Sequence, residues 1–418
     1  MIRKAAIIVA AWPCIALAAA SASGEGSCPD CFAVLVMPDT QHYTETSAQP
    51  VGGRTLRAIT RFACEQRAAW NEPGTDHTMP IRMLVHLGDL VQNAWAGAGR
   101  PGGVAERQWQ RVDAAFDTLD GCGLPYLVVL GNHDGDQQRG RFATHTQRTD
   151  GFDRWFGAPC MEDGALPCAA DAPAPRPAWL RGRCLHPPDC VLPEYWYLGN
   201  GSDIAPRSRH VGHGNPGPEA ARPGRHRAGL IATPAGGRML VIGLDYGLDW
   251  GLPAPAGDDL AWVERLFDRF PATPTILVHH TFGNDGHGGL GTLVSSRGEG
   301  AARDAWQRLV VPHPQVAMTL TGHWLKPKAH DQTRIVGDPP RAVHSLFRNF
   351  QSNQHFGWIT MLVFDPARGE LRVRSHRIAP GEGDDPPTIA AHDFLCPPDA
   401  APGDAHCATV LSWPPRVP

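Results

Sequence analysis

The chain has 418 residues, a formal net charge of −4 and 42% hydrophobic residues, so it is long enough for one large domain or two ordinary ones with a buried core. The apolar fraction argues against wholesale disorder, and the mildly acidic balance argues against a general nucleic-acid binder, which needs a surplus of Lys and Arg. Gly and Pro number 46 and 40, which predicts many loops between the regular elements.

The first 22 residues have the pattern of a secretory signal. Arg3 and Lys4 form the positive start, residues 5–20 form the apolar stretch, and small residues near position 22 fit a cleavage site. The alternative is an uncleaved anchor helix, but Pro13 interrupts the stretch and favours cleavage. We expect a secreted or periplasmic protein whose mature chain has no transmembrane span.

Cysteine usage agrees with export. Eleven Cys become ten once Cys14 leaves with the signal, an even number that suits disulfides in an oxidising compartment. The motif Cys28-Pro29-Asp30-Cys31 also fits a redox or zinc pair, but no second CxxC completes a zinc site, so a structural disulfide is favoured. The other predicted local pairs are Cys160–Cys168, Cys184–Cys190 and Cys396–Cys407.

Short apolar runs alternate with amphipathic stretches along the chain. Runs typical of buried strands occupy residues 32–37, 81–87, 126–130, 239–243, 274–279 and 316–321. Helical patterns occupy residues 54–70, 108–119, 258–270 and 301–310. Three later runs, at 342–347, 358–364 and 370–376, predict consecutive strands in an antiparallel edge or a second sheet. The alternation predicts an α/β fold with helices on the sheet faces.

Residues 157–230 interrupt this alternation. The stretch holds four Cys, eight Arg and many Pro and Gly, and we interpret it as a disulfide-pinned loop insertion. The tail at 381–418 is rich in Pro and Asp and contains the last predicted cysteine pair.

Polar residues cluster directly after the apolar strands. Ligands of α/β sheets bind at the carboxyl ends of strands, so these residues are expected to converge on one site. Carboxylates, amide oxygens and imidazoles together suit hard or borderline divalent metals. Each residue alone is more often structural, but the ordered series of five strand ends predicts a site. The residues are Asp39, Gln41, Asp89, Asn132, His133, Asp134, His279, His280 and His323.

The order Asp-x-Gln, Gly-Asp, Gly-Asn-His-Asp, His and Gly-His resembles the calcineurin-like metallophosphoesterase superfamily. The resemblance extends from about residue 32 to residue 378 without the insertion, and it is closest to a branch whose first motif is Asp-Thr-Gln. That branch is also similar to this chain over residues 343–351 and 357–358. The resemblance implies a four-layer α/β/β/α sandwich of two mixed sheets, with a metal site at the carboxyl ends of the strands.

The resemblance also implies roles for all nine residues around two neighbouring divalent metals. The metal ligands are Asp89 as the bridge, Asp39 and Gln41 on the first metal, and Asn132, His279 and His323 on the second. The catalytic residues are His133 beside the substrate phosphoryl group, Asp134 that holds its imidazole, and His280 that faces substrate or supports His279. The implied mechanism is attack of a metal-bridged hydroxide on phosphorus.

Two departures from the superfamily pattern concern the first metal. Gln41 stands where many members have His, and Leu325 stands where they have a further His ligand. The resulting oxygen-rich site favours loosely held Mn²⁺, Mg²⁺ or Ca²⁺, whereas the imidazole-containing site favours Mn²⁺, Fe or Zn²⁺. Gln92 lies where purple acid phosphatases, distant relatives, place a metal-binding Tyr, and it supplies an oxygen or only shapes the loop. Three spare histidines could also fill the gap: His287, His330 and His355.

The leading hypothesis is an exported metal-dependent phosphoesterase that hydrolyses phosphomonoesters or phosphodiesters, with a small-molecule substrate and no specific nucleic-acid partner. The alternative is a non-catalytic or weakly active binding protein on the same scaffold, because Leu325 replaces an expected ligand. The predicted organisation is a signal peptide (1–22), a catalytic domain (32–380) with the insertion (157–230), and a disulfide-closed tail (381–418).

Overall fold

The computed structural model describes residues 28–45, 51–94, 102–134, 156, 194–197, 227–244, 259–282, 305–323, 329–351, 356–381, 385–392 and 408–415. The predicted signal peptide, Leu325 and the three cysteine pairs predicted after residue 150 lie outside these residues. No helix in the described part of the chain is long and apolar enough to cross a bilayer.

The first sheet has seven strands: β1 (Phe32–Met37), β4 (Ile81–His86), β5 (Tyr126–Val128), β13 (Trp358–Asp365), β14 (Glu370–Ala379), β15 (Thr388–His392) and β16 (Ala408–Ser412). Their order is β15-β14-β13-β1-β4-β5, and β16 pairs with β14. The pairs β1–β4 and β4–β5 are parallel, whereas β13 is antiparallel to β1. A hairpin of β2 (Trp70–Asn71) and β3 (Thr78–Met79) stands apart from this sheet.

The second sheet also has seven strands: β6 (Glu194–Tyr197), β7 (Arg227–Ala232), β8 (Arg238–Gly243), β9 (Thr275–Val278), β10 (Val316–Thr321), β11 (Ala329–Val336) and β12 (Arg341–Arg348). Their order is β11-β12-β10-β9-β8-β7-β6. The central strands β8, β9, β10 and β12 run parallel, so their carboxyl ends share one edge.

The two sheets pack face to face and carry helices on their outer faces. The helices are α1 (Gln41–Thr44), α2 (Val51–Glu65), α3 (Val104–Cys122) and α4 (Asp259–Arg269), followed by a π-helical turn at Trp306–Val310. Helices α2 and α3 cover the first sheet, and α4 and the π-helical turn cover the second. The predicted α/β sandwich is confirmed.

Coverage on both faces explains the unbroken apolar runs. In β1, Phe32, Val34 and Val36 face the core between the sheets, and the alternate residues face the helices. All six residues of this strand are buried, because a central strand covered on both faces has no solvent face. The predicted apolar face of α3 is likewise buried, and it consists of Trp109, Val112, Ala115, Phe116 and Leu119.

The six strands predicted from the first apolar runs are all present, within two residues at each end. The structure differs from three details of these expectations. The late run at 342–347 forms β12 of the second sheet, parallel to β10, while the next two runs form β13 and β14 of the first. Two strands, β6 and β7, lie wholly or partly inside the stretch taken for a loop insertion. The last predicted helix, at 301–310, is described from Ala305 onward and is helical there, with π-helical geometry over Trp306–Val310.

The strand β16 lies against both sheets. It pairs with β14 in the first sheet, and the carbonyl of Ser412 lies 2.8 Å from Nε2 of His344 in β12. Trp413 packs edge-on against Phe364 of β13 at 4.8 Å, within the core between the sheets. The two sheets are therefore joined at this edge by polar and apolar contacts.

Two disulfides lie in the described residues. Cys28–Cys31 agrees with the predicted structural pair. Cys64–Cys122 joins α2 to α3 and was not predicted, because the sequence rule favours close cysteines whereas packing of the two helices brings distant ones together.

Replacing Cys64 and Cys122 together by Ser is expected to lower the free energy of unfolding by about 4 kcal/mol, because the bond closes a sequence separation of 58 residues. Urea denaturation at pH 7 measures this loss. The matched control is Cys28→Ser with Cys31→Ser, which removes a disulfide that closes a sequence separation of 3 residues. Its free energy of unfolding is expected to fall by about half as much. Equal losses in the two variants would contradict the entropic account.

Candidate metal centre

The predicted site residues lie on the loops that follow β1, β4, β5, β9 and β10, except Gln41, which begins α1. Asp39, His279 and His280 are fully buried, and Asp89 is 1% exposed. Backbone hydrogen bonds join these loops to one another: the N–H of Thr40 donates to the carbonyl of Asp89 at 3.0 Å. In the second sheet, the N–H of Gly322 donates to the carbonyl of His280 at 3.2 Å. The loops that carry the polar side chains are thus fixed relative to each other.

Two glycines allow the carboxylates to approach neighbouring loops closely. A Cβ at Gly131 would collide with the carboxylate and backbone nitrogen of Asp89. A Cβ at Gly322 would collide with Oδ1 of Asp39. The Gly-Asn and Gly-His motifs therefore need glycine because of space at the site.

The backbone is strained at two of the site residues. Asp89 has φ 54° and His323 has φ 83°, and these are the two non-glycine residues with positive φ in the described ranges. Such conformations cost roughly 1–3 kcal/mol and persist where the surrounding structure holds them, commonly at functional sites. Both residues belong to the predicted centre.

His280 lies at the middle of the cluster. Its Nε2 is 3.2 Å from Oδ2 of Asp89, 3.1 Å from Oδ1 of Asn132 and 3.0 Å from Nδ1 of His323. Its Nδ1 donates to the carbonyl of Leu87 at 2.7 Å, so in the neutral imidazole the lone pair is on Nε2. A histidine that donates one N–H to a carbonyl and presents the other nitrogen to carboxylate, amide and imidazole groups is typical of a metal ligand.

The carboxylates control the charge of this imidazole. Burial by itself lowers the pKa of His280, but Asp89 and Asp39 oppose it and raise the pKa to about 10. Burial by itself raises the pKa of Asp89, and the opposing charges of His280 and His133 bring it well below its usual range. A cation at Nε2 of His280 would displace the proton held there, so metal binding is expected to release a proton.

Two buried oxygens further support a cation at this place. Oδ1 of Asp39 and Oε1 of Gln41 make no hydrogen bond with any described residue. A buried acceptor that lacks a donor costs about 1–3 kcal/mol, so such atoms in a native structure need an explanation. Carboxylate and carboxamide oxygens are the ligands that hard divalent cations take, and the residues present therefore fit a metal.

The structure gives His279 and His280 different contacts. Nδ1 of His279 accepts a hydrogen bond from the N–H of Thr281 at 3.2 Å, and its ring packs against Phe282 with centroids 5.0 Å apart. His280, expected to face substrate or support the ligand, contacts Asp89 directly. Adjacent residues at a strand end point to opposite sides, and the sequence alone does not show which of the two points inward.

Asp134 also differs from its expected role. Its Oδ1 accepts hydrogen bonds from the N–H groups of Leu90 and Val91 at 2.8 and 3.1 Å, and its Oδ2 accepts one from Gly131 at 2.9 Å. Burial and the charge of Asp89 raise the pKa of Asp134 to about 8. This carboxyl group therefore connects the loops after β4 and β5 and does not orient the ring of His133.

The imidazole of His133 is instead oriented by the loop after β4. Its Nδ1 donates to the carbonyl of Gln92 at 3.0 Å, and its backbone N–H donates to Oδ1 of Asp89 at 2.8 Å. Gln92 is in turn held by Gln108 of α3, whose Oε1 accepts a hydrogen bond from the backbone N–H of Gln92 at 3.1 Å. The Nε2 atom of His133 is thereby left for another partner.

Three buried residues that the sequence did not mark as site residues support the cluster. Asn349 and Gln351 follow β12 and contact Asp39 and Gln41. His86, at the end of β4, accepts a hydrogen bond at Nδ1 from the N–H of Gly88. Asn349 and Gln351 lie 310 residues from the ligands they contact, so spacing gave no signal for their roles.

No family model matches the chain. The sequence is 20% identical over 352 residues to the uncharacterized protein YvnB of Bacillus subtilis (strain 168), covering 83% of this chain and 20% of that protein. The chain thus spans about a fifth of the length of this relative. Among solved structures, TT1561 of Thermus thermophilus is 12% identical with a TM-score of 0.32, covering 82% of this chain and 98% of that one. We therefore infer function from the site.

His86 stabilises the loops beside the centre in a pH-dependent way. Its Nε2 donates to Oγ1 of Thr40 at 3.0 Å, and Oγ1 donates to the carbonyl of Leu90. This arrangement needs a neutral ring, and burial, aided by the charge of His280, lowers the pKa of His86 to about 3. In the unfolded chain the imidazole of His86 binds a proton near pH 6.5, whereas in the folded protein it does so only near pH 3. Its contribution to the free energy of unfolding is therefore complete above pH 6.5 and declines as the pH falls towards 3.

Urea unfolding in the presence of EDTA tests this support. Between pH 6.5 and 4 the wild type is expected to lose up to about 1.4 kcal/mol per pH unit more than a His86→Gln variant, since only the wild type carries this linked proton. Identical pH slopes in the two proteins would show that His86 has the same pKa in the folded and unfolded states, which contradicts this account.

Proposed function

We propose that the chain is a metal-dependent phosphoesterase of the calcineurin-like metallophosphoesterase superfamily, acting on phosphomonoesters or phosphodiesters. The observation that carries the proposal is the convergence of Asp89, Asn132 and His323 on Nε2 of His280, all within 3.2 Å. These residues come from the loops of four different strands, in the order in which the superfamily motifs occur. Export is part of the proposal and is supported by the two disulfides.

In this proposal, two divalent cations occupy neighbouring places. Donor atoms of Asp89, His280 and His323 all lie within 4.8 Å of one another, and with Asn132 they would hold Mn²⁺, Fe or Zn²⁺ firmly. Asp39 and Gln41, with Asp89 as the bridge, offer only oxygens and would hold Mn²⁺, Mg²⁺ or Ca²⁺ more loosely. When bound, such cations supply Lewis-acid activation of water and neutralise charge on the phosphoryl group.

The remaining side chains have tasks set by their contacts. Because Gln92 takes the Nδ1–H of His133, Nε2 is the free nitrogen of that ring. In the imidazolium form, its N–H can donate to a phosphoryl oxygen or deliver a proton to the leaving oxygen. Asp134 keeps the loops after β4 and β5 in register, so that Asp89 and His133 are presented together. No nucleophilic side chain is required.

Turnover of p-nitrophenyl phosphate and bis-p-nitrophenyl phosphate with added Mn²⁺ tests the activity. Asp89→Asn is expected to reduce turnover at least ~10²-fold, because it removes charge that the proposed bridge requires. The matched control is Asp76→Asn, which changes an exposed loop carboxylate and is expected to leave turnover unchanged.

The same assay separates the alternative hypothesis. Metal uptake by a wild-type protein that hydrolyses neither ester would favour the non-catalytic binding protein. Full activity of Asp89→Asn would contradict the proposed centre.

A comparison of His280→Asn with His279→Asn distinguishes the two neighbouring histidines. Loss of His280 is expected to weaken the firmly held metal at least ~10-fold, because its Nε2 lies 3.2 Å from Oδ2 of Asp89. Loss of His279, whose Nδ1 accepts a hydrogen bond from Thr281, is expected to weaken it less. Elemental analysis per folded chain, with circular dichroism to establish folding, measures this. The reverse order would restore the assignment made from the sequence.

A further inference from the structure

The segment that follows β12 holds a ligand of the proposed first metal by its side chain. Asn349 is fully buried, and its Nδ2 donates to Oδ2 of Asp39 at 3.1 Å. Its Oδ1 accepts a hydrogen bond from the N–H of Gln351 at 3.0 Å. Since a backbone N–H can only donate and a carboxylate only accept, the orientation of this carboxamide is fixed by its partners.

Gln351 holds Gln41, the other predicted ligand of the first metal, in a similar way. It is 2% exposed, its Nε2 donates to the carbonyl of His323 at 3.3 Å, and its Oε1 accepts a hydrogen bond from Nε2 of Gln41. The donation to a carbonyl fixes which end of the Gln351 carboxamide is the oxygen. That oxygen then fixes which end of Gln41 points towards it.

Both contacts leave one side-chain oxygen of each ligand without a hydrogen bond from a described residue. Asn349 occupies Oδ2 of Asp39, and Oδ1 has no hydrogen-bond partner among the residues that the structure describes. Gln351 occupies the amide nitrogen of Gln41, and Oε1 likewise has none. The two carboxamides, two residues apart in sequence, therefore leave one buried oxygen on each ligand available to a cation.

The segment is anchored from its other side. Phe350 lies between the two carboxamide residues and packs against Trp358 of β13, with ring centroids 5.9 Å apart. Phe350, Trp358 and Ala329 form a small apolar cluster of their own. The polar and apolar side chains thus point to opposite sides, and the apolar one keeps the segment in place.

We propose that Asn349 and Gln351 are positioning residues that preset Asp39 and Gln41 for an oxygen-preferring divalent cation such as Mn²⁺. The inference rests on the proposed function and extends it. In sequence, Leu325 stands where the superfamily has an imidazole ligand. Preorganised oxygens would compensate for that missing ligand, because ligands held in place lose less freedom when the cation binds. Neither carboxamide needs to contact the cation.

Mn²⁺ titration of the metal-free full-length protein, followed by calorimetry and electron paramagnetic resonance, tests the proposal without substrate. Asn349→Leu and Gln351→Met keep the side-chain size and remove the carboxamides. Each is expected to weaken the looser Mn²⁺ site at least ~10-fold, the range known for residues that orient ligands, and to leave the tighter site within about twofold. Gln332→Met, in β11, is the matched control and is expected to change neither site.

A phosphoesterase assay gives a second readout. The Mn²⁺ concentration for half-activation is expected to rise in both variants, while turnover at saturating Mn²⁺ is largely retained, because the ligands themselves are intact. Unchanged affinity of the looser site would overturn the proposal. Equal weakening of both sites, with a lower melting temperature in EDTA, would assign the residues a merely structural role and overturn it too.

The titration also separates this proposal from the proposed function. A wild type that binds no Mn²⁺ contradicts both proposals. A wild type that binds Mn²⁺ at two affinities but hydrolyses no ester contradicts the catalytic function alone, and the comparison of variants then still decides the role of Asn349 and Gln351.

Discussion

Two buried carboxylates share one imidazole, and the rest of the site depends on this grouping. Oδ1 of Asp39 and Oδ2 of Asp89 lie 3.8 and 3.2 Å from the two ring nitrogens of His280. Burial of such charges is costly unless they are paired and hydrogen-bonded. Backbone N–H groups from other loops meet part of this need: His323 donates to Asp39, and His133 donates to Asp89. Asp39 and Asp89 follow strands of the first sheet, whereas His280 and His323 follow strands of the second. The buried carboxylates are therefore paired only when the two sheets are packed together.

This requirement accounts for several features that have no role in packing alone. The positive φ angles of Asp89 and His323 bring their backbone and side chains to the shared edge at a local energetic cost. The loops have little freedom to move, since Gly131 and Gly322 lie against the carboxylates. A cation would thus meet a largely formed group of ligands, which is the arrangement that allows electrostatic catalysis without rearrangement during the reaction.

The sequence predicted the elements whose physical cause is local. Strand β1 is apolar throughout because both its faces are covered, and the polar residues after it follow from the rule that sheets bind ligands at carboxyl ends. It did not predict features set by long-range packing. Which of His279 and His280 faces Asp89 depends on the orientation of the strand end. The sheet that β12 joins depends on where the chain crosses between the sheets. The contact of Asn349 with Asp39 joins residues that are 310 positions apart.

The pairing of β1 with β13 has a consequence for how the protein reaches its native state. Phe32 lies opposite Phe364, so the middle of the first sheet is assembled from the two far parts of the chain. Such non-local pairing raises the contact order and slows folding, because a long loop must close before the contacts form. A chain synthesised from its amino end would hold β1 with an open edge until β13 is made, and that edge is a place where a chaperone or another strand would bind.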